Sequence, residues 1–97
     1  MIIRTITMNV PDDKTAEAEK TWKHELGPLL VRQTGCLTHL LLHSREIPTK
    51  FVSLSHWANQ QAIDHYVAGS AREEIRNCTR AILGATKVEV EVYEVIG

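Results

Sequence analysis

The first ten residues alternate between apolar and polar side chains with a period of two residues. The apolar positions on one side are Ile2, Ile6, Met8 and Val10. This pattern predicts a β-strand that buries one face, and Arg4 is the one residue that interrupts that face. Pro11-Asp12-Asp13 ends the strand, because proline lacks a backbone N–H donor and aspartate favours helix caps.

The next segment repeats apolar residues at the spacing of an α-helix. The repeating residues are Ala18, Trp22, Leu26 and Leu29. We expect a helix from about Asp13 to Glu25 that is broken at Gly27-Pro28, because an internal proline loses one hydrogen bond and clashes with the preceding turn. Pro28 can open a short second helical turn through Arg32, and Gly35 ends that turn.

Two strands follow, separated by a polar connection of hairpin length from Arg45 to Thr49. The first, from Cys36 to His43, carries apolar residues on both faces. Strict alternation places Cys36, Leu40 and Leu42 on one face and Leu37 and Leu41 on the other. A strand that is apolar on both faces is covered on both faces. The second, from Phe51 to Trp57, is predicted to pair with it in antiparallel orientation.

Two helices and a last strand complete the chain. Asn59 can cap a helix that ends at Gly69. Ser70-Ala71-Arg72-Glu73 has the form of a capping box, and it precedes a helix that Gly84 ends. The segment from Lys87 to Ile96 alternates valines with polar residues and predicts a strand.

The order β-α-β-β-α-β predicts an α+β, ferredoxin-like fold in a single domain that spans residues 1–97. In this fold the helices cover one face of an antiparallel sheet, and no helix is left for the other face. We expect a second copy of the chain to cover that face, through Leu37 and Leu41 or their alternating neighbours. The sequence therefore predicts a homodimer.

Composition excludes several classes of function. Hydrophobic residues make up 43% of the chain and charged residues 24%, which is typical of a globular domain. The net charge of −1 offers no basic field, so we expect no nucleic-acid partner. Apolar runs are far shorter than the roughly 20 residues of a membrane helix, and residues 1–5 show no secretory signal. We therefore expect no membrane partner and a cytoplasmic location.

The histidines and cysteines do not form a predicted metal site. His39 and His43 are four residues apart, a spacing that suits one metal ion on a helix. On a strand, at about 3.3 Å per residue, their rings stand about 13 Å apart. Cys36 and Cys78 lack the spacing of metal ligands or of a disulfide framework. We expect the protein to contain no metal.

Candidate chemistry gathers near the end of the third strand and the following helix. The polar and aromatic residues there are His56, Trp57, His65 and Tyr66. Trp57 and Tyr66 are most simply interpreted as core aromatics, but imidazole and phenol groups can also move protons near neutral pH. Ser53 and Ser55 share the face of Trp57, and their small side chains leave room beside it for a ligand.

Three motifs in order resemble the antibiotic biosynthesis monooxygenase domain family. They are Gly35-Cys36-Leu37, Phe51-Val52-Ser53-Leu54-Ser55-His56-Trp57 and Gln61-Ala62-Ile63-Asp64-His65-Tyr66. The resemblance spans essentially the whole chain and implies a dimeric α+β barrel with a pocket between sheet and helices. Members of that family include oxygenases that oxidise aromatic or quinol substrates without metal or flavin, haem-degrading enzymes and a signal-molecule isomerase.

The sequence also departs from the branches of that family. Tyr66 stands where many members have histidine and the haem-degrading branch has tryptophan, which argues against haem degradation. Ser53 stands where the cofactorless oxygenase branch has asparagine. The catalytic pattern of the cofactorless oxygenase branch is therefore only partly present in this sequence.

The resemblance implies a small oxygenase that needs no cofactor and acts on a hydrophobic, aromatic or quinol-type small molecule. His65, His39 or His56 is then the base, Trp57 the stacking wall, and Tyr66 the donor to the developing oxyanion, with Ser53 and Ser55 lining the pocket. The alternative hypothesis is a non-catalytic dimeric module that binds a hydrophobic metabolite, and haem degradation ranks last.

Overall fold

The computed structural model describes residues 1–83 and 88–97, which form an antiparallel sheet with helices packed on one face. The strands are β1 (Ile2–Asn9), β2 (Cys36–His43), β3 (Lys50–Trp57) and β4 (Glu89–Glu94). The α-helices are α1 (Thr15–Thr21), α2 (Gly27–Val31), α3 (Gln60–Val67) and α4 (Ser70–Leu83). The strand order β2-β3-β1-β4 is that of the predicted ferredoxin-like fold.

Alternation along β1 and β3 works as the sequence predicts. On β1 the side chains of Arg4, Ile6 and Met8 are buried under the helices, and the residues between them are partly exposed. On β3 the buried residues are Phe51, Ser53, Ser55 and Trp57. Because paired residues of antiparallel strands share a face, these positions define the helix-facing side of the sheet.

The first helical segment does not break at Gly27-Pro28, so that expectation is wrong. After α1 the chain makes a π-helical turn over Trp22–Leu26 and continues directly into α2. The backbone N–H of Gly27 donates to the carbonyl of Trp22, five residues earlier. This turn leaves Pro28 in the first turn of α2, where a missing N–H donor breaks no helical hydrogen bond.

A β-bulge in β2 changes the predicted division of its faces. Cys36 pairs with Trp57 but Thr38 pairs with His56, so the register shifts at Leu37. Beyond the bulge His39, Leu41 and His43 face the helices, while Leu40 and Leu42 lie on the opposite face. Cys36 therefore does not share a face with Leu40 and Leu42, because the extra residue inverts the alternation.

The sheet face opposite the helices, which we call the open face, is partly apolar. Leu40 and Leu42 on β2 are 53% and 42% exposed, and Val52 and Leu54 on β3 pair with them. The sequence predicts Leu37 and Leu41, or their alternating neighbours, on this face. Leu40 and Leu42 are the neighbours of Leu41, and Leu37 is exposed at the bulge beside them.

Helix α3 begins at its predicted cap. The Asn59 side chain accepts a hydrogen bond from the Ala62 backbone N–H at 2.9 Å, which confirms the predicted cap of α3. Gly84, the predicted end of α4, and Lys87, the predicted start of the last strand, lie outside the described residues. No helix in residues 1–83 and 88–97 has the length and hydropathy of a membrane span.

Candidate functional site

A polar row crosses the helix-facing side of the sheet. His39 on β2 pairs with Ser55 on β3, and Ser55 pairs in turn with Arg4 on β1. Since neighbouring strands lie about 4.8 Å apart, His39 and Arg4 stand about 10 Å from each other at the backbone. The row thus carries a base at one end and a permanent cation at the other.

His39 is held in one orientation by three neighbours. Its Nε2 lies 2.8 Å from the Ser53 hydroxyl, and its ring stacks on Trp22 with a centroid distance of 5.8 Å and an interplanar angle of 15°. On the other side, a Cβ atom at position 27 would lie 2.9 Å from Nδ1 of His39, so glycine is required for this approach. The packing leaves the imidazole little rotational freedom.

The protonation of His39 follows from its burial. Removal of the ring from water lowers the pKa of His39 below its ordinary value of 6.5. The imidazole is therefore neutral at pH 7 and can accept a proton. Ser53, its hydrogen-bond partner, is itself buried and helps to fix the ring.

A groove of about 740 Å³ opens next to His39, between the first helical segment and the edge strand β2. Its apolar walls come from Trp22, Gly27, Pro28, Val31, Leu40 and Leu41, and its charged residues are Glu19, Lys23 and Arg32. Its volume is in the range of small-molecule sites. His39 is the histidine that lines it, so the groove brings a neutral base to a mostly apolar surface.

A second cluster surrounds Trp57, which is fully buried. The Trp57 indole N–H donates to the Ser55 hydroxyl at 2.8 Å, and that hydroxyl donates to the Arg4 carbonyl at 3.3 Å. The rings of Trp57 and Tyr66 are 5.2 Å apart and tilted by 36°. We call Arg4, Ser55, Trp57 and Tyr66 the arginine cluster.

Arg4 gives this cluster its charge. Its side chain is only 5% exposed, and its guanidinium carbon lies 5.4 Å from the centre of the Tyr66 ring. Burial lowers the pKa of Arg4 and raises the pKa of Tyr66, and the positive charges of Arg4 and Arg72 offset part of the rise at Tyr66. Tyr66 therefore stays protonated at neutral pH and can donate a hydrogen bond.

The residues predicted to form the site lie in three places. His39 and Ser53 form a pair at the groove, whereas Trp57, Ser55 and Tyr66 belong to the arginine cluster. His56 lies on the open face, where its Nδ1 is 2.8 Å from the Thr38 hydroxyl. His65 is exposed on α3. The structure thus separates His56 and His65 from both His39 and Tyr66.

The thiol of Cys36 is not an activated nucleophile. Cys36 is buried next to the bulge, and burial raises its pKa to about 11. Among the residues that the structure describes, no three His, Cys, Asp or Glu side chains are grouped closely enough to hold a metal ion.

Three residues that shape the site are not among those predicted from the sequence. The sequence pattern presents Trp22 and Gly27 only as parts of a helix and its break, and Arg4 only as an interruption of an apolar strand face. The signal for Arg4 was present, since a charged residue on the buried face of a strand needs a specific environment.

Replacement of Tyr66 with phenylalanine tests what its hydroxyl does. We expect the free energy of unfolding to change by about 1 kcal/mol or less, because the ring keeps its contacts with Trp57 and Arg4. If the hydroxyl contacts a ligand, binding or turnover weakens while the melting temperature holds. Tyr93→Phe is the matched control, since Tyr93 is an exposed tyrosine whose hydroxyl donates to Glu91. A clear loss of stability in Tyr66→Phe with unchanged ligand binding would assign the hydroxyl to the core.

Solved structures of other proteins share the fold of this chain. The fold matches a putative antibiotic biosynthesis monooxygenase from Deinococcus radiodurans, with a TM-score of 0.86, 21% identity and coverage of 100% of this chain and 94% of that chain. It also matches SnoaB, a cofactor-independent oxygenase from Streptomyces nogalater, with a TM-score of 0.82, 19% identity and coverage of 97% and 91%. Rv0793 from Mycobacterium tuberculosis matches with a TM-score of 0.77, 15% identity and coverage of 100% and 97%.

These likenesses, all below 25% identity, show the fold. A search of curated proteins finds no match to this sequence. The family model for antibiotic biosynthesis monooxygenases matches residues 1–77. Because that match covers most of the sequence, the chain belongs to the antibiotic biosynthesis monooxygenase family.

Proposed function

We propose that the protein is a cofactor-independent monooxygenase acting on an electron-rich aromatic or quinol-type small molecule, with His39 as its general base. The observation that carries this proposal is the position of a neutral, oriented imidazole at the wall of a mostly apolar groove. Family membership and the fold likeness to the oxygenase SnoaB support the reaction class.

The proposed reaction needs only a base, orientation and an apolar surrounding. His39 takes a proton from the activated position of the substrate, and the resulting anion transfers one electron to dioxygen. The two radicals then combine to form a carbon–oxygen bond. Cleavage of the oxygen–oxygen bond leaves one oxygen in the product as a carbonyl and releases the other as water, so a CH₂ group and O₂ give C=O and H₂O.

Each neighbour of His39 has a task in this proposal. Ser53 fixes one ring nitrogen, so that the other, on the Gly27 side, is left to exchange protons. Trp22 presents a large aromatic surface in the groove on which a flat substrate can stack. Trp57 lies on the strand next to that of His39, and Tyr66 lies on α3 beside Trp57. They remain the predicted stacking wall and oxyanion donor for a substrate that reaches the arginine cluster.

His39→Gln is expected to lower kcat by about 100-fold or more, because glutamine keeps a polar side chain of similar size but cannot act as a base near neutral pH. Oxygen uptake with a panel of hydroquinones and anthrones measures this effect. His65→Gln is the matched control, since His65 is exposed and far from the groove. Equal activity in the wild type and His39→Gln would exclude His39 as the base.

The pH dependence of turnover provides a second test of His39 as the general base. Since burial lowers the pKa of His39 below its ordinary value, its base form predominates at neutral pH and is lost as the pH falls through the lowered value. Turnover is therefore expected to be constant from neutral pH upwards and to decline on the acid side. Ligand binding without oxygen uptake at any pH would instead favour the non-catalytic binding module.

We further propose that two copies of the chain pair through their open faces. Leu40→Lys should then destabilise the protein, because the exposed leucine of one chain is buried in the pair. Light scattering of the wild type should give twice the chain mass of 11.0 kDa at micromolar concentration. Val67→Lys, at a comparably exposed valine of α3, is the control and should leave mass and stability unchanged. A wild-type particle of 11.0 kDa would refute the dimer.

A further inference from the structure

The buried guanidinium of Arg4 lacks a counterion among the described residues. Its Nη1 atom is shielded from solvent and has no hydrogen-bond partner there. The ion pair found in the described part of the chain joins Lys14 and Glu17 and does not include Arg4. Arginine cannot shed its proton in a protein, so a buried guanidinium stays charged and needs an anionic or polar partner.

The surroundings of Arg4 contain a second positive charge, and the polar group that offsets it is the hydroxyl of Tyr66. Arg72 is half-buried in the first turn of α4 and is close enough for its charge to lower the pKa of Arg4 further. The amino end of a helix of this length also carries partial positive charge. Two like charges close to each other destabilise the fold unless an anion binds between them.

The side of this site towards β4 is open and apolar. Val92 pairs with Arg4 and Val90 pairs with Ile6, so both valines lie on the helix-facing side of the sheet. Each is nevertheless 47% exposed. An apolar surface that is open to solvent therefore adjoins the buried cation.

We infer that Arg4 and Arg72 form the anion-binding end of a second small-molecule site, which takes a carboxylate attached to an apolar body. The planar guanidinium of Arg4 matches the two oxygens of a carboxylate, and its Nη1 has no partner among the described residues. The apolar body lies against Val90 and Val92. A monoanion suits the site, because the more strongly hydrated phosphate dianion would lie against apolar walls.

This site is distinct from the groove at His39. The two lie at opposite ends of the polar row, and the inference does not depend on the oxygenase proposal. Its test measures binding and needs no turnover, so the absence of oxygenase activity and the absence of this site give different results.

Calorimetric titration of the wild type with 1-naphthoate and benzoate, at constant ionic strength set with chloride, tests the site. We expect saturable binding, with naphthoate tighter than benzoate because its larger ring system covers more of the valine surface. The uncharged analogues 1-naphthamide and benzamide should bind at least about tenfold more weakly, because they cannot form a charge-assisted bond with Arg4.

Charge-removing variants locate the binding. Arg4→Met should abolish carboxylate binding and still fold, because it replaces an unpaired buried charge by an apolar side chain of similar length. Arg72→Gln should weaken binding about tenfold, and it carries the test if Arg4→Met does not fold. Arg45→Gln removes one exposed charge in the β2–β3 connection and is the control.

Four results would overturn the inference: no saturable binding of either carboxylate, equal binding of acids and amides, equal loss of binding in Arg45→Gln and Arg72→Gln, or loss of naphthoate binding in His39→Gln. His39→Gln should bind naphthoate like the wild type. A loss there would place the carboxylate in the groove and would also contradict the proposed site.

Discussion

Replacement of Gly35 with alanine is expected to lower the free energy of unfolding by about 2 to 5 kcal/mol. Gly35 has a φ angle of 85°, a left-handed conformation that costs a non-glycine residue about 1 to 2 kcal/mol. An added Cβ would also lie 2.4 Å from Cβ of Ala62, so the turn before β2 and helix α3 must separate. For a domain of this size the melting temperature should fall by about 10 °C or more.

Two further variants separate the causes of that loss. Gly69→Ala is the control, because its Cβ would meet the nearest atoms at 3.4 Å and the residue has no positive φ. Gly35→Ala combined with Ala62→Gly removes the side-chain collision and should recover part of the stability, leaving the backbone strain. If Gly35→Ala melts at the same temperature as Gly69→Ala, the contact between this turn and α3 does not exist in solution.

The fold was largely predictable because each element carries its own local pattern. The alternation in β1 and β3 gave the buried residues directly, and Asn59 marked the start of α3. Neither signal depends on distant parts of the chain. The order of the elements then limited the sheet topology to very few arrangements.

The bulge in β2 was not predictable from alternation. Leu37 is apolar, so the sequence reads as a continuous run from Cys36 to His43 with no sign of an inserted residue. Its position depends on the pairing of β2 with β3, which is a tertiary property. The consequence for function is large, because the shift turns His39 and Leu41 towards the helices.

The π-helical turn explains why the groove was also missed. A proline after glycine normally ends a helix, and the sequence contains no marker of the wider hydrogen-bond ring that accommodates Pro28. The turn places Gly27 against the ring of His39 and Trp22 above it. The groove therefore depends on two local irregularities, the π-helical turn in the helix and the bulge in β2. Neither has a marker in the sequence.

Trp57→Ala is expected to cost about 3 to 5 kcal/mol of unfolding free energy, a large part of the stability of a small domain. Trp57 is fully buried, packs against Tyr66 and donates to Ser55, so the variant leaves a cavity and removes a hydrogen bond. Equilibrium denaturation should be followed by far-ultraviolet circular dichroism, because the variant removes one of the two tryptophans that fluorescence would report.

Trp57→Phe is the matched control and should cost about 1 to 2 kcal/mol, because it retains most of the aromatic packing and loses the indole N–H. Ser55→Ala in the wild-type and Trp57→Phe backgrounds measures the coupling of that hydrogen bond. If the Trp57 ring only fills the core, its removal must lower the free energy of unfolding by the full expected amount. If Trp57→Ala loses less than about 1 kcal/mol while carboxylate or quinol binding disappears, the ring is instead the wall of a ligand site that opens in solution.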